Sequence, residues 1–155
     1  MRNQIIRELN YEELPEASTL LWRSFYESEK QNTSLAGMEL FRELTSPISL
    51  EMNRCDGSLL LVGLWEKGEL CGVGALQNGD RILLLYVHPS QKGKGCGKAL
   101  LKYLEGKSKG EIVRIHASDE AVSFYRHFGY RVSGSRTDRD AIIVTPMEKR
   151  IRETK

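Results

Sequence analysis

Val87-His88-Pro89-Ser90-Gln91-Lys92-Gly93-Lys94-Gly95-Cys96-Gly97-Lys98-Ala99-Leu100 is the run on which this chain's fold turns. It reads as the end of a strand, a glycine loop and the start of a helix. Gly93, Gly95 and Gly97 fall at alternate positions, which removes side chains where the backbone must turn sharply. Several N–H groups are then left facing one concavity at a helix N-terminus. Such a concavity is a ready anion site, and the helix dipole reinforces it. Lys92, Lys94 and Lys98 bring positive charge to the same place.

Two familiar phosphate loops do not fit. A P-loop places glycine five residues before the Gly-Lys pair and a hydroxyl residue after it, but here those positions are Lys92 and Ala99. A dinucleotide fingerprint begun at Gly93 needs glycine where Lys98 stands, and begun at Gly95 it needs glycine where Leu100 stands.

Working outward, residues 81–87 (RILLLYV) are the most apolar strand, which predicts a central place covered on both faces. Before it lie strands at 58–65 and 70–77, separated by a Glu66-Lys67-Gly68-Glu69 turn and closed by Asn78-Gly79-Asp80. Further back, apolar periodicity predicts helices over 12–28 and 35–44. Ser46-Pro47 caps a third, at 47–53, and a short strand spans 3–9. After the loop, Cys96, Ala99, Leu100, Tyr103 and Leu104 form one helical stripe, with Gly106 at its end. A strand at 111–117 leads to a helix capped by Ser118 or Asp119 and stopped by Gly129. Strands at 130–135 and 140–148 finish the chain. The order predicts an α/β (α+β) fold, a mixed sheet with helices on its faces.

The chain has 155 residues, which suits one domain spanning 1–155. Residues 1–80 carry seven basic and thirteen acidic side chains, and residues 81–155 carry sixteen and eight. A basic half that meets an anion and an acidic half that meets a cation would produce this division, and so would two solvated faces. The net charge of +2 gives nucleic acid no support, and no apolar run approaches the roughly 20 residues of a membrane span. The start has no apolar signal core. Three widely spaced cysteines (Cys55, Cys71, Cys96) suggest a reducing compartment and show no zinc spacing, so a cytoplasmic protein without a metal is expected.

At the loop the sequence resembles the GNAT superfamily of acyl-CoA-dependent N-acyltransferases. After a strand that ends in valine at Val87, as the family's does, Lys92, Gly95 and Gly97 occupy the family's Arg/Gln-x-x-Gly-x-Gly/Ala positions, with Lys92 replacing the usual Arg or Gln. A second block, Ala117-Ser118-x-x-Ala121-x-x-Phe124-Tyr125-x-x-x-Gly129-Tyr130, is similar to the family's Phe-Tyr helix, with Ser118 where asparagine is common. The ending at Ala141–Lys149 resembles the closing strand, with Val144 where many members carry histidine.

The resemblance implies a single mixed, mostly antiparallel sheet with helices on both faces. It also implies an N-acetyltransferase that moves an acetyl group from acetyl-CoA to a primary amine by direct attack. By the same resemblance Lys92, Gly93, Lys94, Gly95, Cys96, Gly97 and Lys98 hold the CoA diphosphate, with Ser118 and Tyr125 also at the cofactor. Val87 pairs its backbone with the pantetheine arm. A bulge exposes the amide of Leu85 or Tyr86 to the thioester oxygen. Tyr125 is the general acid for the departing thiolate, against the alternative that it is only a core aromatic.

The proton acceptor for the amine is not identified. His116 is one candidate, though structural histidines are commoner. His88 reads as loop structure, His127 as exposed, and Glu66 and Glu69 as solvated. Glu27, Glu29, Glu39 and Glu43 lie where an amine would enter, but helix surfaces are ordinarily acidic in patches and none is singled out. Cys96 reads as buried rather than reactive. A non-catalytic acyl-CoA sensor or partner-binding module, and a protein lysine or N-terminal acetyltransferase, remain alternatives. The chain is expected to act as a monomer or homodimer, without nucleic acid or membrane.

Overall fold

The computed structural model of the chain describes residues 3–139 and 141–152. Strand β1 (Gln4–Glu8) leads through a short 3₁₀ turn to α1 (Leu14–Glu29), α2 (Leu35–Leu44) and α3 (Pro47–Cys55). Then come β2 (Leu59–Glu66), β3 (Glu69–Gln77) and β4 (Arg81–Val87). After the loop follow α4 (Cys96–Lys107), β5 (Ile112–Ala117), α5 (Val122–His127), β6 (Arg131–Val132), β7 (Thr137–Arg139) and β8 (Ile142–Arg150). Two strands were expected after α5 and three are present. The sheet order is β1-β2-β3-β4-β5-β8-β6, with β7 also paired to β8. Every pairing is antiparallel except β4 with β5.

Local chemistry accounts for most boundaries. Ser34 and Ser46 accept the amides of Gly37 and Ser49 and so cap α2 and α3, and Pro47 opens α3 as expected. The two hairpins turn at Lys67-Gly68 and Asn78-Gly79, whose four φ angles are all positive, as the tight primed turn needs. The stripe on α4 is buried at Cys96, Leu100 and Leu104, and Leu101 joins it. The helix runs through Gly106 to Lys107.

The sheet carries a core on each face. Leu14, Ala17, Leu21, Phe25 and Phe41 pack with Leu61, Val73 and Leu84 on the α1–α3 face. Leu100, Leu101, Leu104 and Tyr125 pack with Leu64, Leu76, Ile82 and Met147 on the other. Gly72 lets α4 lie close to the sheet, because a Cβ there would stand 2.7 Å from Leu100 Cδ1.

Strand β4 is central, as its composition predicts, and irregular on both sides. Against β3 its register slips: Ala75 faces Leu84 while Leu76 faces Ile82, so Leu83 is the extra residue of a bulge. Against β5 it pairs only at Arg81 with Arg114 and Ile82 with Ile115. From Leu83 onward β4 and β5 diverge, and the sheet is open between them.

Candidate active site

A cavity of about 890 Å³ occupies this gap. Its walls are β4 from Leu83 to Val87, the end of β5 with Ser118, the loop from Gln91 to Lys98, α5, and the C-terminal turn of α1.

The loop wall is built on left-handed glycines. Gly93 and Gly95 have φ of 81° and 84°, in the left-handed region that a Cβ disfavours. The amides of Lys92, Gly93, Lys94, Gly95, Gly97 and Lys98 donate no hydrogen bond among the described residues; α4 takes its first at Ala99, to Gly95 O (3.1 Å). Gly97 has a separate reason to lack a side chain. A Cβ there would stand 3.3 Å from the ring of Phe124, so the loop is seated directly on α5. Lys92 and Lys98 line the cavity, whereas Lys94 does not.

The strand wall offers backbone. His88 N–H donates to Cys71 O at 2.8 Å, which fixes which way each β4 amide points. Antiparallel pairs alternate, so Tyr86, two residues back, also faces β3, while Leu85 and Val87 face the gap. Of the two amides expected at the bulge, Leu85 is thus the one directed at the cavity. The bulge itself falls earlier, at Leu83, a residue that is 43% exposed.

Tyr125 lies under this gap, 3% exposed. Its ring meets Phe124 and Tyr130 edge-on, at centroid distances of 5.1 and 5.4 Å. Its hydroxyl makes no hydrogen bond among the described residues. Burial, with a smaller contribution from Tyr86, pushes its pKa well above that of a free phenol. Tyr86 is raised for the same reason, and the charge of Glu29 adds to the effect.

Ser118 and Asp119 do not cap α5. The helix starts at Val122 after Ala121, with no side-chain cap. The Ser118 hydroxyl donates to Glu29 Oε2 (3.0 Å), and the Asp119 carboxylate accepts two hydrogen bonds from Arg136 (2.8 and 2.7 Å). Tertiary partners have taken both would-be caps. Ser118 still lines the cavity, but its hydroxyl is engaged with a carboxylate.

The three histidines occupy different places. His88 Nδ1 accepts the amide of Ser90 and shapes the turn before the loop, and His127 is exposed. His116 lines the cavity, and burial with Arg81 and Arg139 nearby lowers its pKa. Of the four helix glutamates, Glu39 and Glu43 stay outside the cavity, and Glu27 reaches it from an exposed position. Glu29 reaches it while only 5% exposed. Its place was readable, since Glu29 continues the buried series Ala17, Leu21, Phe25 in steps of four on α1. Cys96 is buried. No group of side chains suited to a metal is found among the described residues, and no described helix is long and apolar enough to cross a membrane.

A mixed sheet opened beside a helix-terminal amide cradle, over a buried phenol, has the architecture of an acetyltransferase. The family profile of the acetyltransferase (GNAT) domain matches residues 26–151, and the chain belongs to that family. Solved structures agree on the fold. A GCN5-related N-acetyltransferase from Rhodopseudomonas palustris superposes with a TM-score of 0.83 at 22% identity, covering 95% of each chain. The PaiA N-acetyltransferase of Thermoplasma acidophilum, in complex with coenzyme A, gives 0.77 at 24% identity over 96% of this chain and 99% of its own. The ribosomal-protein-S18-alanine N-acetyltransferase of Escherichia coli gives 0.71 at 17% identity over 98% and 96%. No curated protein sequence matches the chain.

Proposed function

We propose that this chain, acting as one domain, transfers the acetyl group of acetyl-CoA to a primary amine by direct attack. The observation that carries the proposal is that Lys92, Gly93, Gly95, Gly97 and Lys98, whose amides donate no hydrogen bond among the described residues, line the same cavity as Tyr125. A diphosphate satisfies those donors, and the dipole of α4 favours its charge. The pantetheine arm then runs into the gap between β4 and β5, where the Val87 backbone can pair with it as an added strand would. That directs the thioester toward the amide of Leu85 and the phenol of Tyr125.

The chemistry follows from those positions. The neutral amine attacks the thioester carbon, and a C–N bond forms. The carbonyl oxygen gains charge, which the Leu85 amide stabilises. As the adduct collapses, the C–S bond breaks and the thiolate takes the Tyr125 proton. The cationic amide nitrogen then returns a proton to the phenolate, which resets the site. Burial of Tyr125 keeps its proton in place until the thiolate appears. No cysteine or serine in the cavity has a His–acid pair, which favours direct transfer over an acyl-enzyme.

Calorimetry with acetyl-CoA, followed by a free-thiol assay over alkylamines, aminosugars and short peptides, tests the proposal. Saturable heat and thiol release with at least one amine are expected. Absence of binding overturns it. Binding with no turnover of any amine would instead establish an acyl-CoA sensor.

A further inference from the structure

We propose that Glu29 is the carboxylate that receives the acceptor's ammonium group and takes its proton. This rests on the acyl-transfer reading and names the group that reading leaves open.

Glu29 ends α1 and turns inward, in a place where a charge is costly unless paired. Its carboxylate has one hydrogen bond among the described residues, from Ser118 to Oε2. Oε1 has no hydrogen-bond partner among the described residues, and Glu29 lines the cavity. No arginine or lysine among the described residues forms an ion pair with it. Lys92, whose charge acts on Glu29, directs its ammonium to Ser28 Oγ at 3.4 Å. The surroundings deepen the deficit. Glu120 and Asp119, the latter paired with Arg136, face Glu29 from the turn after β5, the Tyr86 phenol faces it from β4, and Lys92 opposes them from the loop. Burial is the main reason its pKa is raised, followed by those two carboxylates.

A buried carboxylate with one open oxygen, ringed by further acids, is matched by an incoming ammonium ion. Position agrees with charge. Glu29 on α1, Tyr86 on β4 and Tyr125 on α5 all line the same cavity. An ammonium bound at Glu29 gives up one proton to Oε1, and the resulting amine is next to the thioester. After transfer Glu29 releases that proton to water, which accounts for the one proton the overall reaction liberates. Strand β4, Arg81 to Val87, carries no carboxylate, so the acid must come from a helix or the β5–α5 turn. Among the carboxylates that reach the cavity, Glu27 and Glu120 are exposed and only Glu29 is buried.

Glu29→Gln, Glu29→Asp, Ser118→Ala and His116→Asn are compared with the parent, using acetyl-CoA and the most reactive amine of the panel. Glu29→Gln is expected to keep acetyl-CoA affinity within about twofold and to lose at least about 100-fold in kcat/KM. The acidic limb of its pH profile should disappear. Glu29→Asp should recover part of the rate, and Ser118→Ala should move the limb without abolishing it. An unchanged kcat/KM and limb in Glu29→Gln, or loss of the limb in His116→Asn alone, overturns the role of Glu29 and leaves acyl transfer standing. Failure of the parent to bind acetyl-CoA, or to acetylate any amine, overturns both.

Discussion

Tyr125→Phe removes one oxygen and little else. The ring keeps its edge-on contacts with Phe124 and Tyr130. The hydroxyl has no hydrogen-bond partner among the described residues, so none is lost and the melting temperature should stay within about 2 °C of the parent. A positioned general acid contributes roughly 10²–10⁴ in rate, or about 3–5.5 kcal/mol of barrier. The proton at stake is held firmly, because burial raises the phenol's pKa. The parent should accordingly show no alkaline loss of kcat from this group below about pH 10. The assay is steady-state thiol release with a reactive amine, beside calorimetry with coenzyme A and a thermal melt. A fall in kcat of at least about 100-fold, with coenzyme A affinity and melting temperature retained, is the expected result. A kcat within about threefold of the parent would show that the thiolate takes its proton from elsewhere, and Tyr125 would then be a core aromatic.

Other perturbations address the scaffold. Gly72→Ala places a Cβ 2.7 Å from Leu100 Cδ1 and 3.2 Å from the Tyr86 carbonyl oxygen, and should cost about 1–3 kcal/mol of overpacking. At about 3 °C per kcal/mol the melt should fall by roughly 3–9 °C, and an unchanged melt would contradict the close seating of α4. Tyr130→Phe deletes the 2.8 Å hydrogen bond to Glu105, whose other partner is Lys149 at 3.2 Å. A bond to a charged group is worth about 1.5–3 kcal/mol, so a stability loss near the lower figure is expected in urea titration. Glu29 binds its proton more tightly in the native state than in the unfolded one. Stability is therefore fully retained below the unfolded carboxyl pKa of about 4.3 and falls as pH rises through the higher native value. Glu29→Gln should raise the melting temperature at pH 8 relative to the parent and leave it little changed at pH 4. A deficit at pH 8 would show that the carboxylate stabilises the fold.

Much of the fold and part of the site could be read from residue order. The glycines of the loop, the run Arg81–Val87, the two hairpin turns and the Ser46-Pro47 cap all act locally, so their geometry follows from neighbours in the chain. What escaped depends on distance along it. Ser118 and Asp119 are ideal caps in isolation, but Glu29, 89 residues away, and Arg136 claim their side chains. The bulge at Leu83 lies in an unbroken apolar run, where no alternation marks a change of phase. Strand β7, Thr137–Arg139, is exposed throughout and has no apolar face to announce it. Lys94 sits among the loop lysines in sequence, but the path of the loop leaves it outside the cavity. Glu29 shows both situations together. Its helical phase marks it for burial, while the serine that holds it cannot be found without the tertiary structure.

The parallel pair of β4 and β5 stops after two residues, which leaves Leu85 and Val87 with unmatched backbone in the middle of a sheet. Open strand borders usually invite stray chains. Here the interruption is bordered by α1, α5 and the glycine loop, so a slender, extended molecule with its own amides can lie along it. The protein is in that sense built one rung short, and on the proposed reading the pantetheine arm fills that rung for the length of one turnover. Amide exchange at these two positions should then slow while a coenzyme occupies the interruption and quicken again on its departure.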